Sequence, residues 1–352
     1  MMPVEMAGDD SIRYLQRFLV SNKARGMIAE LSLKTELGTS EPQITNKLLS
    51  GGWLLSPKVA NPQYHRYMAS ILPVLYTTEA ELHTAIATLE HDRGWQALAT
   101  FLSKSGIGII VSGATPRSSD TSYTSLQWYN FVYQQEQLLS TEDHYPFITW
   151  PGNRGRPSNG AEWQPDIIDR FEQSNPNDLT ELALRQAFYY GYLKQELKKP
   201  IEDPYDVDAF IVSYQGAVIP IEIKEKSPTE RGEFGVDAGR ILMLLRLCIA
   251  TDSNAVYLIR EVDTSPFRAL VGWKYITLAD MIIGCRWNLQ AGGRGMGGGA
   301  TQTVMISGDL FQAFTQTNFS EEWLDQHRSL QMSVRATATK LAHDLSRYLG
   351  RA

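Results

Sequence analysis

Residues 219–229 read IPIEIKEKSPT, and the first part of that run alternates strictly. Ile219, Ile221 and Ile223 fall on one face of a strand, and Glu222, Lys224 and Lys226 fall on the other. Helical spacing would scatter these isoleucines around an axis, so the segment restricts the chain to a sheet with one apolar face here. The preceding run VDAFIVSY (207–214) has the same character, and Gln215-Gly216 between the two marks a hairpin turn. A tight hairpin brings the start of its first strand close to the end of its second. Asp208, Glu222 and Lys224 are then expected to converge at one end of the sheet.

The neighbouring segments give this hairpin an α/β setting. NPNDLTELALRQAFYYGYLKQELKKP (175–200) predicts a helix, with Asp178 as N-cap and Pro200 as a stop. After the hairpin come a predicted helix, GVDAGRILMLLRLCIA, and a predicted strand, NAVYLIREV. The order helix–strand–strand–helix–strand implies a mixed sheet containing an antiparallel pair, flanked by helices. The chain is expected to end in one helix from about Ser320 to Tyr348.

The first part of the chain reads as a mostly helical region. Residues 11–37 repeat apolar positions at helical spacing, and SEPQITNKLLSGG (40–52) suggests a short helix with Ser40 as N-cap and Gly51 just past its end. These pieces can build a helix–turn–helix unit, and they fit other helical domains equally well. Residues 77–106 predict one or two more helices, and IGIIVSGA (107–114) a buried strand. PGNRGRPSNG (151–160) is the clearest linker. The expected organisation is therefore 1–160, helical and available for recognition or dimerisation, followed by 161–352, the α/β core with its C-terminal helix.

With 352 residues, 43% hydrophobic and 20% charged, the composition is globular. The net charge of −6 argues against a polybasic binder while leaving room for a local basic groove. Cys248 and Cys285 are the only cysteines, too few for a disulfide framework or a four-cysteine zinc site. The N-terminus is acidic where a signal peptide needs positive charge, and the apolar run 241–250 is short and interrupted by Arg246. A cytoplasmic protein with no membrane partner is expected.

Two carboxylates and an adjacent backbone carbonyl suit a hard, oxygen-preferring cation such as Mg²⁺. A lysine on the same face can orient a water or neutralise a phosphate. With these residues, DAFIV…IEIKEK resembles the core signature of the PD-(D/E)xK nuclease superfamily, which includes many type II restriction endonucleases. Val207 stands where that pattern has its proline. The resemblance covers about 85 residues and implies a restriction-endonuclease-like fold. In it Asp208 and Glu222 are the Mg²⁺ ligands and Lys224 is the catalytic lysine. It also implies a helix before the first strand carrying a glutamate aimed at the site. Glu181 and Glu196 are the candidates, although Glu181 also completes a capping box with Asp178.

The resemblance implies a Mg²⁺-dependent endonuclease cutting double-stranded DNA, most specifically a type II restriction enzyme acting as a homodimer. Another defence or repair nuclease (resolvase-like or an anti-phage effector), or a non-catalytic DNA-binding protein retaining the fold, are the alternatives. Asp206 competes with Asp208 as first ligand; Lys226 shares the site's face and can contact phosphate, but the reading as the solvated end of its strand is preferred. RGRP (154–157) matches an AT-hook core but lacks flanking basic residues, and the glycine-rich run 291–300 lacks the lysine of a phosphate-binding loop. The six histidines are scattered, so no zinc site is expected.

Overall fold

The computed structural model describes residues 47–55, 67–117, 126–141, 205–265, 268–291 and 302–349, with single positions of two helical segments at 26–37 and 177–192. The linker 151–160, Glu196, Asp178, and the glycine-rich run beyond residue 291 lie outside the described residues. A mixed sheet of ten strands forms the centre. Its middle is built from β1 (Lys47–Leu55), β2 (Tyr67–Leu75) and β3 (Gly108–Pro116), which lead outward to β4 (Leu126–Gln134) and β5 (Gln137–Ser140). On the other side of β1 lie β6 (Tyr205–Val212) and β7 (Val218–Lys226). A separate three-stranded sheet begins with β8 (Glu233–Asp237), and the main sheet resumes with β9 (Val256–Val262) and β10 (Leu270–Thr277). β11 (Leu289–Ala291) and β12 (Gln302–Ser307) complete the small sheet, and β13 (Gln312–Ala313) closes the edge of the large one.

Six helices are described in full: α1 (Glu79–Glu90), α2 (Arg93–Lys104), α3 (Ala238–Thr251), α4 (Leu278–Gly284), α5 (Glu321–His327) and α6 (Met332–Tyr348). Only two neighbouring pairs in the main sheet are parallel, β2–β3 and β7–β9. Each is joined by a crossover containing helix, α1–α2 in the first and α3 in the second, as parallel strands require. Side chains alternate, so the two faces of the sheet bury different cores. Phe210, Val212, Val218, Tyr257 and Ile259 pack with α1 to α4 and α6. Ile211, Ile219, Ile221 and Ile223 pack with Ala29, Leu33 and Leu37 of the first helical segment and Leu324 of α5. The isoleucine face is thus buried, as the alternation predicts. No helix among the described residues is long and apolar enough to cross a membrane.

The hairpin forms with the expected turn. Gly216 has φ +85°, a left-handed conformation that suits glycine, and Ser213 N–H donates to Ala217 O at 2.9 Å. Several other expectations change. Among the described residues, 47–140 contribute five strands and two helices, so this part of the chain is not mostly helical. The described part of the stretch assigned to a short helix ending at Gly51, residues 47–52, is instead in β1, which is paired over most of its length with β6. One sheet therefore runs through both proposed halves. The single C-terminal helix is two, because the carbonyl of Arg328 turns aside to accept the Asn254 N–H at 3.0 Å. β8 also replaces the first residues predicted for the α3 helix, and Asp237 at its end caps α3 by accepting the Arg240 N–H at 3.0 Å.

Gly51 explains why β1 is a strand in this position. A Cβ at Gly51 would lie 1.6 Å from the backbone oxygen of Val207 and 2.8 Å from the carbonyl carbon of Asp208. Only glycine allows β1 to approach the strand that carries Asp208. Gly51→Ala should therefore lower unfolding stability by about 2 kcal/mol or more, through backbone overpacking. Urea unfolding would measure this, whereas Gly216→Ala at the exposed turn is expected to cost less.

Candidate metal and phosphodiester site

The β6–β7 ladder runs from Val212–Val218 to Ala209–Ile221 and pairs no further. Beyond that point Asp208 takes over: its Oδ2 accepts the Ile223 N–H at 2.6 Å. A side chain replaces the missing backbone partner, so the strands part while β7 remains fixed to β9 on its other side. Glu222, Ile223 and Lys224 line the opening. The Lys224 ammonium bridges it, lying 2.6 Å from Glu222 Oε1, 3.3 Å from Asp208 Oδ2 and 2.9 Å from the carbonyl oxygen of Ile223. Two carboxylates and one carbonyl therefore share a single cation.

The electrostatics follow from burial. Glu222 is fully buried and Asp208 is 5% exposed. Burial, then the like charge of Asp208, outweighs Arg240 and Lys224 and raises the Glu222 pKa. Burial would depress Lys224, but Asp208 and Glu222 hold its pKa above the ordinary lysine value. Glu222 Oε2 has no hydrogen-bond donor among the described residues, and Oε1 is held by its ion pairs without a well-directed hydrogen bond. A buried carboxylate this poorly satisfied fits a site that accepts a further cation. Among the described residues no group of three or more His, Cys, Asp or Glu side chains is arranged to hold a metal. The set here instead combines two carboxylates with a main-chain oxygen.

Asp206 shares the strand face with Asp208 but has a different partner. Arg240, in the first turn of α3, reaches Asp206 Oδ1 at 2.6 Å, its carbonyl oxygen at 3.0 Å, and Glu222 Oε1 at 3.2 Å. Burial opposes ionisation of Asp206, yet Arg240 and Lys224 pull its pKa below the ordinary value. Arg240 thereby fixes both acids from behind, and Asp208 is the carboxylate left facing Lys224 and the opening.

Glu181 is buried on the helical segment 177–192, where its charge acts on Arg185. Arg185 in turn binds Glu30 at 2.6 Å. Burial raises the Glu30 pKa, Arg185 lowers it, and Asp208 and Asp206 raise it again, so Glu30 is a helix glutamate within electrostatic reach of the site. Sequence reasoning missed Glu30, Arg185 and Arg240. Glu30 and Arg185 come from distant segments with no local signature. Arg240 had one: three acids on one sheet face with a single bridging lysine need a second cation nearby.

No protein-family model matches the chain, and no curated protein and no solved structure matches it. The Lys224 bridge can be tested without reference to any activity. Lys224→Met should destabilise the metal-free protein by about 2 kcal/mol or more, because it leaves Asp208 and Glu222 facing each other in a buried setting. Urea unfolding in a chelating buffer reads this directly, and an unchanged midpoint would show that the bridge contributes nothing.

Proposed function

We propose that this protein is a Mg²⁺-dependent endonuclease of the PD-(D/E)xK type, hydrolysing phosphodiester bonds of double-stranded DNA. The observation that carries the reading is the convergence of Asp208 Oδ2, Glu222 Oε1 and the Ile223 carbonyl oxygen on one cation. Those are hard oxygen donors of the kind Mg²⁺ takes, and the resemblance at Asp208, Glu222 and Lys224 names the same residues. Supporting it further, these residues lie on consecutive antiparallel strands, and a helix-containing crossover leads from the second to a parallel strand.

In this reading Asp208, Glu222 and the Ile223 carbonyl hold the metal, which when bound would polarise the phosphate and lower the pKa of a water. With a metal at those oxygens, the Lys224 ammonium would be available to the water or the phosphate oxygens. Arg240 keeps Glu222 and Asp206 in position through its ion pairs with both. Glu30, held by Arg185, joins Glu181 as a candidate helix glutamate beside the site. A type II restriction enzyme cutting as a homodimer is the specific form proposed, with DNA recognition drawn from outside this constellation.

Supercoiled plasmid incubated with Mg²⁺ should be nicked or linearised by the wild-type protein. Asp208→Asn, Glu222→Gln and Lys224→Ala should each reduce the rate by about 10²-fold or more. Cleavage that survives all three substitutions would overturn the assignment. Independently, Mg²⁺ should raise the melting temperature of the wild type through binding to the folded state, and Glu222→Gln should remove that shift.

A further inference from the structure

Lys226 differs from the other cations around the site. β7 continues through it, in register with Glu261 of β9, and its side chain is half-buried rather than free in solvent. It shares a strand face with Glu222 and Lys224 and lies two residues, about 6.6 Å, beyond Lys224. Each neighbouring carboxylate has a closer partner than Lys226. Glu261 binds Lys274 at 2.8 Å, Asp237 accepts the Arg240 N–H as the cap of α3, and Glu222 is taken by Lys224 and Arg240. Among the described residues Lys226 has no ion pair and no hydrogen bond. Burial, then the Lys224 ammonium, lowers its pKa to about 8, and the more distant charges of Asp237 and Glu222 offset this only in part.

We infer that Lys226 binds a backbone phosphate of the nucleic acid next to the one that is cleaved. This rests on the nuclease reading and adds a substrate contact to it. A phosphate supplies the direct ion pair that no side chain among the described residues makes with Lys226, and the offset from Lys224 is of the order of one nucleotide step. The contact positions the strand in the site and carries no base preference.

The test separates binding from cleavage. Fluorescence anisotropy of a short fluorescein-labelled random-sequence duplex would be measured across a salt series, with Ca²⁺ replacing Mg²⁺ to keep the duplex intact. Wild type, Lys226→Gln, Lys226→Arg and, on the exposed face of α6, Lys340→Gln would be compared. Lys226→Gln should weaken binding about tenfold at low salt. It should also reduce the slope of log K against log salt by about 0.9, the loss of one phosphate contact. Lys226→Arg should keep the wild-type slope, and Lys340→Gln should change neither quantity. Wild-type affinity and slope in Lys226→Gln would overturn the inference and leave the nuclease reading standing. An equal loss of slope in Lys226→Arg would also overturn it, because a phosphate contact tolerates either cation. A wild-type protein that binds no duplex would overturn both.

Discussion

The ammonium of Lys224, held between Asp208, Glu222 and the Ile223 carbonyl, is the interaction on which the rest of this site depends. Two buried carboxylates at a parting of strands repel one another and resist desolvation, so they persist only with a cation between them. The fold supplies that arrangement through three features. Gly51 lets β1 press against β6, the Asp208 side chain caps the open end of the β6–β7 ladder, and β9 keeps β7 from following β6 away. In the proposed enzyme a metal would replace the lysine at these oxygens, and the lysine so released is the one that faces the reacting phosphate.

Around this centre lies a second ring of paired charges. Arg240 clasps Asp206 and Glu222 from α3, and Arg185 clasps Glu30 from the helical segment across the sheet. A further pair of arginines, Arg260 and Arg268, binds Glu225 on the opposite face of β7, and Arg260 also binds Glu36. The first helical segment is thus tied to the sheet at Glu36 while it offers Glu30 to the site. Such pairs add little net stability when buried, but removing one partner leaves an uncompensated charge, so they fix geometry. Lys226 stands outside both rings, a half-buried cation with its neighbours already committed.

How much of this was legible in the sequence depended on whether the controlling contacts were local. The β6–β7 hairpin, its apolar isoleucine face and the grouping of Asp208, Glu222 and Lys224 follow from period-2 alternation and one turn, all within a short stretch. The strand at 47–55 was not legible, because Gly51-Gly52 read as a helix stop when Gly51 allows close approach to a strand more than 150 residues later and Gly52 close approach to β2. Propensity likewise could not foresee that Arg328 would break the C-terminal helix to satisfy Asn254. Glu30 and Glu181 present the same difficulty: each lies on a helix, and only the tertiary position of Arg185, on which both act, links them to the site. The expectation that Lys226 ends the strand in solvent changed for a similar reason, since β9 accompanies β7 to its last residue.

The central claim concerns what the converging oxygens hold, and a direct view of a bound ion tests it best. Crystals grown with Mn²⁺, a spectroscopic and crystallographic substitute for Mg²⁺, would be measured at the manganese absorption edge. The account predicts an anomalous peak within coordination distance of Asp208, Glu222 and the Ile223 carbonyl, with the Lys224 ammonium displaced from between the carboxylates. A structure at saturating Mn²⁺ with Lys224 still bridging Asp208 and Glu222, and no ion at those oxygens, would contradict it.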